Sequence, residues 1–442
     1  MRAGKTRNAQ ARRYDCEILY LALPALGALA AEPTYVLVDT AIVGHLGTPQ
    51  LAALAIAATL LSTGITLFNF LTYGTTAQVA RLHGAGEEAA AGRLGAQALW
   101  LAVGLGGALF AVTLLLAPPA VALMGGQGEV REMAVKYLRI SALGLPFAMI
   151  ALAGQGFLRG IGDLRRPLVI LVAANAANVV LEVLFVYGFG WGIAGSAWGT
   201  VLAQAGMGAA FVYELLRAPG GASESRRPRP SAMRPLLKVG GDIAVRTGAL
   251  LLSFALASAV VARMGEAPLA AHQVAFQLFI FLALVLDAIA IAGQIMVGRS
   301  LGAGDAEGAF DAAVRMIFWS VAVGALFAAA LLAGTGIIPR AFTADPAVIE
   351  QALTLWPLFV LMQPIGAAVF ALDGILIGAS DTRFLKWSML AALAVFAPLA
   401  LAALSLGLGV VGVWVSLNVL MAVRLFTCGA RFVGRRWAVI GA

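Results

Sequence analysis

The sequence is poor in charged residues. Asp, Glu, Lys and Arg make up only 12% of its 442 residues, and 61% are hydrophobic, whereas soluble domains carry about 25% charged residues. This composition excludes a soluble enzyme. Since a helix needs about 20 apolar residues to cross a bilayer, twelve spans would use most of the chain. Only short loops and tails would remain.

Cysteine and histidine are also scarce. Cys16 and Cys428 lie near the chain ends beside basic clusters that we place in the cytoplasm, where thiols stay reduced, so we expect no disulfide. The three histidines lack the spacing of a metal site, and we expect no metal. They are scattered over loops and helix ends: His45, His83 and His272.

Glycine and proline, by contrast, are abundant, with 51 and 17 residues. Membrane helices tolerate both, because small residues let backbones approach and neighbouring groups satisfy freed hydrogen bonds. The Gly84-Ala85-Gly86 stretch lacks the Lys-Ser/Thr pair of a phosphate-binding loop and follows a helix. Nucleotide hydrolysis is therefore not the energy source, and coupling to an ion gradient without a cofactor remains.

Long apolar runs separated by polar or Gly/Pro clusters predict an all-α integral membrane protein with twelve transmembrane helices. The predicted spans are 18–45, 51–80, 93–117, 133–158, 167–189, 192–216, 236–262, 267–297, 309–332, 349–377, 384–406 and 409–433. The first has no small-residue cleavage site, so we expect it to be retained.

The basic residues indicate orientation. The net charge is +8, but most Lys and Arg lie in the two tails and the even-numbered loops. By the positive-inside rule, both termini face the cytoplasm. We therefore expect a multi-pass protein of the plasma (inner) membrane. The excess of positive charge indicates how the chain is oriented in the membrane, and we expect no nucleic-acid partner.

The two halves of the chain are repeats with an offset of 218 residues. Pro146 matches Pro364, Asp163 matches Asp381, and the 84–86 stretch matches 302–304. Each half holds six spans, so the repeat is parallel, with a pseudo-two-fold axis along the membrane normal. We predict an N-terminal lobe (1–216), a basic cytoplasmic linker (217–235) and a C-terminal lobe (236–442). Such paired bundles favour alternating-access transport.

Five acidic residues lie inside predicted spans, where a charge is costly and is by default a functional hypothesis. They are Glu32, Asp39, Glu182, Asp287 and Asp373. The structural alternative for each is a permanently protonated acid, or one that only bonds a neighbouring helix. We expect Asp287 to line the substrate cavity. We place Asp373 in the same cavity. The alternative is that Asp373 is a packing or hinge residue.

Four polar residues of the first half fall at one depth of the outer leaflet, given a helical rise of about 1.5 Å per residue. They are Asp39, Asn178, Glu182 and Thr200. Two neighbouring acids cannot both ionise cheaply, so this group predicts a site for one shared proton or a monovalent cation. In the second half, Ala257 stands where Asp39 does in the first.

Three further residues of the first span could couple this site to motion. Glu32 precedes Asp39 by two helical turns and shares its face, which places it on a possible proton path. Pro24 and Pro33 each remove a backbone hydrogen bond and predict a hinge. The alternative is that these prolines are passive irregularities in a crowded bundle.

Residues 38–47 (VDTAIVGHLG) resemble the first-helix motif of the multidrug and toxic compound extrusion (MATE) family, in its DNA-damage-inducible protein F (DinF) subgroup. The similarity continues through 269–273 (LAAHQ), 286–287 (LD) and 372–378 (LDGILIG), and covers about residues 15–435. The resemblance implies a twelve-helix antiporter that exports cationic or amphipathic organic compounds against inward flow of protons or sodium ions.

The resemblance also implies a coupling network in the first lobe. Relatives of this subgroup have an Asp in helix one, an Asn-x-x-x-Asp pair in helix five and a Thr in helix six, which correspond here to Asp39, Asn178, Glu182 and Thr200. Glu182 departs from the pattern by one methylene. Other branches have an acid in helix seven, but residues 250–261 contain none, which weakens the case for a sodium site in the second lobe.

The sequence thus predicts a monomeric, proton-coupled multidrug antiporter and not an enzyme. A sodium-coupled antiporter of the same fold is one alternative. A lipid-linked precursor flippase of the same superfamily is another, although a flippase should have a cationic cavity and the intramembrane acids argue against it. A membrane-embedded enzyme would need paired acids or histidines at a catalytic spacing, and the sequence has none. A major facilitator transporter would carry a different loop where residues 81–87 read RLHGAGE.

Overall fold

The computed structural model describes residues 2–219 and 227–441, with side chains from residue 12 onward. The predicted linker 217–235 is therefore described only in part, because residues 220–226 lie outside the described residues. Within the described ranges the chain is helical, with fifteen α-helices and one π-helical turn at Leu184–Gly188.

The helices are α1 Arg2–Gly44, α2 Thr48–Leu67, α3 Phe70–Gly84, α4 Glu88–Leu123, α5 Gly128–Ala142, α6 Leu145–Gly160, α7 Arg165–Val183, α8 Ile193–Arg217, α9 Pro230–Ala262, α10 Glu266–Gly302, α11 Ala306–Ala333, α12 Ile338–Phe342, α13 Pro346–Gly378, α14 Thr382–Ser405 and α15 Gly409–Val433.

Every predicted span coincides with one helix or with a consecutive pair, and the predicted fold class is confirmed. Ten helical stretches of the described chain are long and apolar enough to cross a membrane, and α2 and α3 count as one of them. An eleventh is the pair α5 and α6, bent by 50°. Pro146 in the first turn of α6 lacks a backbone N–H. The predicted span 192–216 corresponds to α8, which carries several Gly, Ser and Thr residues and is not among these stretches.

Contacts divide the chain into two compact units. The first unit is Gly27–Gly240, and the second is Met1–Leu26 together with Gly241–Ala442. The boundary differs from the predicted lobes because the beginning of α1 packs with the second half. There Asp15 accepts hydrogen bonds from the Arg315 guanidinium, at 2.7 Å to Nη2, and from Trp319 Nε1, also at 2.7 Å.

The same close helix approach occurs in each unit. In the first unit, a Cβ at Gly156 of α6 would lie 2.7 Å from the carbonyl oxygen of Thr72 in α3, so only glycine allows this contact. In the second unit, a Cβ at Gly374 of α13 would overlap the carbonyl of Ala290 in α10. These two glycines are 218 residues apart, so the repeat seen in the sequence corresponds to one packing arrangement used twice.

Candidate functional site

The first unit contains a cavity of about 510 Å³, bordered by α1, α2, α3 and α5 to α8. Four of the predicted site residues line it: Glu32, Asp39, Asn178 and Thr200. The other hydrogen-bonding side chains of the lining include Tyr35, Tyr137, Ser141, Gln155, Arg159, Asn175 and Gln204. Between them the wall is largely aliphatic, from Ala and Leu residues of α1, α2 and α6. The cavity can therefore hold an amphipathic molecule and offers it both apolar and polar contacts.

Asp39 is fixed in the cavity wall by a serine of α8. Asp39 is 5% exposed, and Ser196 Oγ donates a hydrogen bond of 2.7 Å to Asp39 Oδ1. The same hydroxyl oxygen lies 3.5 Å from Glu182 Oε1. One buried serine therefore joins an acid of α1 to an acid of α7.

Glu182 lies behind the wall, fully buried, and is not itself a lining residue. Its Oε1 is 3.5 Å from Thr200 Oγ1, and Ser196 Oγ contacts both this oxygen and Asp39 Oδ1, at 3.5 and 2.7 Å. Two carboxyl groups joined through one buried hydroxyl favour a state in which one of them is protonated, since two ionised groups would repel each other strongly in an apolar surrounding.

Thr200 links the acids to the remaining polar groups. Asn178 Nδ2 donates to Thr200 Oγ1 at 3.3 Å, and the Tyr35 hydroxyl lies 3.0 Å from the same oxygen. Asn178 Oδ1 and Glu182 Oε2 are buried and accept no hydrogen bond from the described residues. The group therefore holds two oxygen acceptors that a proton or a small cation would satisfy.

The family model described as MatE matches this chain twice, at residues 24–184 and again at 243–401. The chain belongs to the MATE family. Family membership and the DinF-like assignment predicted from the sequence are both confirmed. Because the model matches once in each half, the duplication is confirmed as well. MATE proteins are multidrug efflux transporters, which places this chain among transporters.

Similar proteins span nearly the whole chain. The chain is 32% identical to DNA damage-inducible protein F of Escherichia coli (strain K12), over 93% of this chain and 90% of that protein. It is also 32% identical to Protein DETOXIFICATION 44, chloroplastic, of Arabidopsis thaliana, over 95% of this chain and 82% of that protein.

Solved structures of MATE transporters share the fold. A MATE transporter in its bent conformation superposes with a TM-score of 0.84 at 21% identity, covering 98% of this chain and 97% of the other. A multidrug resistance MATE transporter in an outward-facing conformation gives a TM-score of 0.82 at 22% identity, with 95% and 96% coverage.

The other residues predicted for the coupling site and the hinge do not contact the acid pair through any described hydrogen bond. Glu32 lines the same cavity and is exposed to it. Pro24 and Pro33 lie within α1, which continues as one helix past both. They flank the position where α1 passes from the second unit to the first, between Leu26 and Gly27. Their role as a hinge stays a prediction.

The two acids of the second unit do not line the 510 Å³ cavity. Asp287 is half-buried in α10, and its place in a substrate cavity stays a prediction. Asp373 is buried in α13, where its Oδ2 accepts hydrogen bonds from the guanidinium groups of Arg246 and Arg424. A carboxylate held between two arginines has the geometry of a packing group.

Sequence reasoning missed three members of the site: Ser196, Tyr35 and Tyr137. Ser196 precedes Thr200 by one helical turn, and Tyr35 precedes Asp39 by one turn, so the i, i+4 rule could have found both. Tyr137 lies in α5, and nothing in its local sequence marks it. It is buried in the cavity wall.

The acid pair depends on the close approach of α8 to the end of α7. A Cβ at Gly195 would lie 2.8 Å from the carbonyl carbon of Phe185, and this backbone cannot move without displacing the π-helical turn that follows α7. We expect Gly195→Ala to destabilise the protein by about 1–3 kcal/mol, as overpacking does. It should also lower the efflux rate, because Ser196 moves with the helix.

Gly206 of the same helix provides the matched control, because a Cβ there meets nothing within 4 Å. Gly206→Ala should leave efflux unchanged and raise stability slightly, since alanine favours a helix over glycine by about 1 kcal/mol. Thermal unfolding in detergent and dye efflux measure both variants. Equal unfolding midpoints for the two would contradict the close-approach argument.

Proposed function

We propose that the protein is a secondary antiporter that exports cationic or amphipathic organic compounds in exchange for protons. The observation that carries this proposal is the Ser196-bridged pair of Asp39, in the wall of a largely aliphatic cavity, and Glu182, directly behind that wall. The pair gives one membrane-embedded unit both a place for cargo and a place for a proton.

The cavity supports a cationic cargo. Its described lining includes two acids, Glu32 and Asp39, and one basic residue, Arg159. Tyr35 and Tyr137 add aromatic surfaces that attract organic cations through their π faces. Apolar walls require no single cargo shape, so many amphipathic cations would be accepted.

Protonation of the pair would control the cargo. With a proton on Asp39, the cavity loses the negative charge of this acid, its attraction for a cation weakens, and cargo is released. Loss of the proton restores the charge and favours a new cargo molecule. Because Asp39 both lines the cavity and contacts Ser196, a proton and a cationic cargo compete for the same carboxyl group.

Two alternatives remain open to test. Sodium coupling is supported by the buried oxygens Asn178 Oδ1 and Glu182 Oε2, which could serve as ligands for a small cation. Proton coupling is favoured because both carboxyls contact the same serine hydroxyl, and a proton on either acid removes the repulsion between the two. A flippase for lipid-linked phosphates would need a lining dominated by basic residues.

We further propose that the protein works as a monomer in the plasma (inner) membrane with both termini in the cytoplasm, needs no cofactor and carries out no enzymatic reaction. The clustering of Lys and Arg in the tails and the even-numbered loops supports this orientation.

Transport measured in reconstituted liposomes distinguishes proton coupling from sodium coupling. We expect a pH gradient alone, acidic on the side that receives the dye, to drive concentrative transport of a cationic dye, and a sodium gradient alone to drive none. Liposomes treated with a protonophore provide the control. Transport that follows the sodium gradient and ignores the pH gradient would show sodium coupling. No transport of any organic cation under either gradient would contradict the antiporter proposal.

A further inference from the structure

The second half of the chain has a counterpart of the acid site that has lost its acids. With the 218-residue offset, Asp39 corresponds to Ala257 and Glu182 to Ala400, and both alanines are buried. Counted with the same offset, Ser196 and Thr200 fall at Trp414 and Asn418 of α15. This part of the second half is also polar, because it contains an indole N–H and an amide.

Three polar atoms of this region lack a hydrogen-bond partner among the described residues. They are His272 Nδ1, Trp414 Nε1 and Asn418 Oδ1. The side chains are almost fully enclosed, at 1%, 0% and 9% exposure respectively. Buried polar groups in folded proteins are nearly always hydrogen-bonded, to protein or to ordered water. Three unsatisfied atoms in one region therefore point to a bound molecule.

The three side chains form one cluster. The His272 and Trp414 rings lie 5.8 Å apart in an edge-on arrangement, and Asn418 follows Trp414 by one turn of α15. His272 Nε2 lies 3.1 Å from Ser258 Oγ of α9. Rings of Phe276 and Phe359 pack against His272 and Trp414, so the surroundings of the cluster are apolar.

The hydrogen bonds of Asn418 fix its orientation. Its Nδ2 donates to the carbonyl oxygens of Leu358, at 3.1 Å, and Trp414, at 2.9 Å, which uses both amide hydrogens. Oδ1 is therefore the acceptor that remains. The indole nitrogen of Trp414 can only donate, and His272 Nδ1 accepts when Nε2 carries the hydrogen toward Ser258.

These donors and acceptors select the bound molecule. A cation would be repelled by the Trp414 N–H and would find no carboxylate among the four polar side chains. A water molecule both accepts and donates. We propose that the second half binds an ordered water here, which accepts from Trp414 Nε1 and donates to Asn418 Oδ1 and His272 Nδ1. Three hydrogen bonds are typical of a buried water.

The proposal makes the two halves chemically different at equivalent positions. The first half holds two acids and two hydroxyls, which suit a proton or a cation, and the second half holds a neutral set that suits water. This inference does not depend on the proposed antiport. It concerns only which molecule the second-half cluster binds.

Hydroxyl-radical footprinting by X-ray radiolysis tests the inference on the unmodified protein, because radicals formed from bound water oxidise adjacent buried side chains. Trp356 and Trp437 are internal controls. Both are buried to the same extent as Trp414, but their N–H groups donate to the carbonyls of Leu331 and Phe432. We expect Trp414 to be oxidised several-fold faster than either control.

The variant Asn418→Leu removes one acceptor and fills space, so it should lower the oxidation rate of Trp414 to that of Trp356. The parent rate should not change when potassium replaces sodium in the buffer. The proposal is overturned if Trp414 and Trp356 are oxidised equally in the parent protein, or if sodium protects Trp414, which would indicate a cation. An experimental density map with Trp414 Nε1 bonded directly to His272 would also overturn it.

Discussion

Replacing Asp39 with asparagine is expected to reduce dye efflux to the level of vesicles without the protein. Asparagine has nearly the same shape and keeps an oxygen that can accept from Ser196 Oγ, now 2.7 Å from Asp39 Oδ1. The packing of α1 against α8 should therefore survive. The variant loses the carboxyl group that takes up and releases a proton. Without it, cargo export can no longer be coupled to proton entry.

Glu32 provides the comparison for this variant. It lines the same cavity but is exposed there, and the described hydrogen bonds of the acid pair do not include it. Glu32→Gln should slow efflux by a few-fold and leave its dependence on the pH gradient intact. Residual transport by Asp39→Asn should not respond to that gradient.

Efflux is measured in proteoliposomes at equal protein content, with circular dichroism to confirm that each variant is helical. Normal pH-driven transport by Asp39→Asn would show that another group carries the proton. If Glu182→Gln loses pH-driven transport in that case, Glu182 is the group that carries the proton. If only Glu32→Gln loses it, the coupling site is at Glu32, nearer the middle of α1.

The sequence was sufficient for the features that depend on local pattern. Each predicted span coincides with a helix or a consecutive pair of helices, because a bilayer imposes a length on each apolar run. The depth of Asp39, Asn178 and Thr200 could be counted along straight helices, and the structure brings these side chains to one cavity. Glu182 was placed at the same depth, but the structure shows its side chain behind the cavity wall.

Features that depend on contacts between distant segments could not be predicted in this way. Ser196 lies in a helix rich in Gly, Ala and Ser, so nothing marks it as the bridge between two acids. The association of Asp15 with Arg315 joins residues 300 positions apart, and it assigns the beginning of α1 to the second unit. Such pairings follow from three-dimensional packing, and helical periodicity carries no information about them.

The partners of Asp373 were missed for a different reason. Arg246 and Arg424 both lie inside predicted spans, and a basic residue there is as unusual as an acid. A search for opposite charges buried in the same half would have proposed the pairing. The positive-inside rule interprets arginines as marking the ends of helices, so it does not recognise an arginine inside a span as the partner of a buried acid.

Replacing Asp373 with alanine is expected to prevent normal folding or to lower stability severely. In the structure this buried carboxylate lies between the guanidinium groups of Arg246 and Arg424. Arg424 is itself buried. Removing the acid takes away the carboxylate that both guanidinium groups contact, and breaking a buried ion pair in this way costs about 3–5 kcal/mol.

The pair of Asp381 and Arg431 is the matched control, because it also joins an acid to an arginine of α15, at 2.7 Å, but both side chains are partly exposed. Asp381→Ala should cost at most about 1 kcal/mol, as exposed ion pairs do. Yield from membranes and the thermal midpoint in detergent compare the two variants directly. A midpoint for Asp373→Ala equal to that of Asp381→Ala would contradict the packing role.

Transport separates packing from coupling at Asp373. If the acid only balances the two arginines, the correctly folded fraction of Asp373→Ala should export dye with the parent dependence on pH, since the acid pair of the first unit is unchanged. If instead the variant folds with the parent midpoint and loses pH-driven transport, Asp373 takes part in ion coupling, and the second half contributes a titrating group after all. The triad favours the first result, because a carboxylate bonded to two guanidinium groups gives up its charge only at a large cost in free energy.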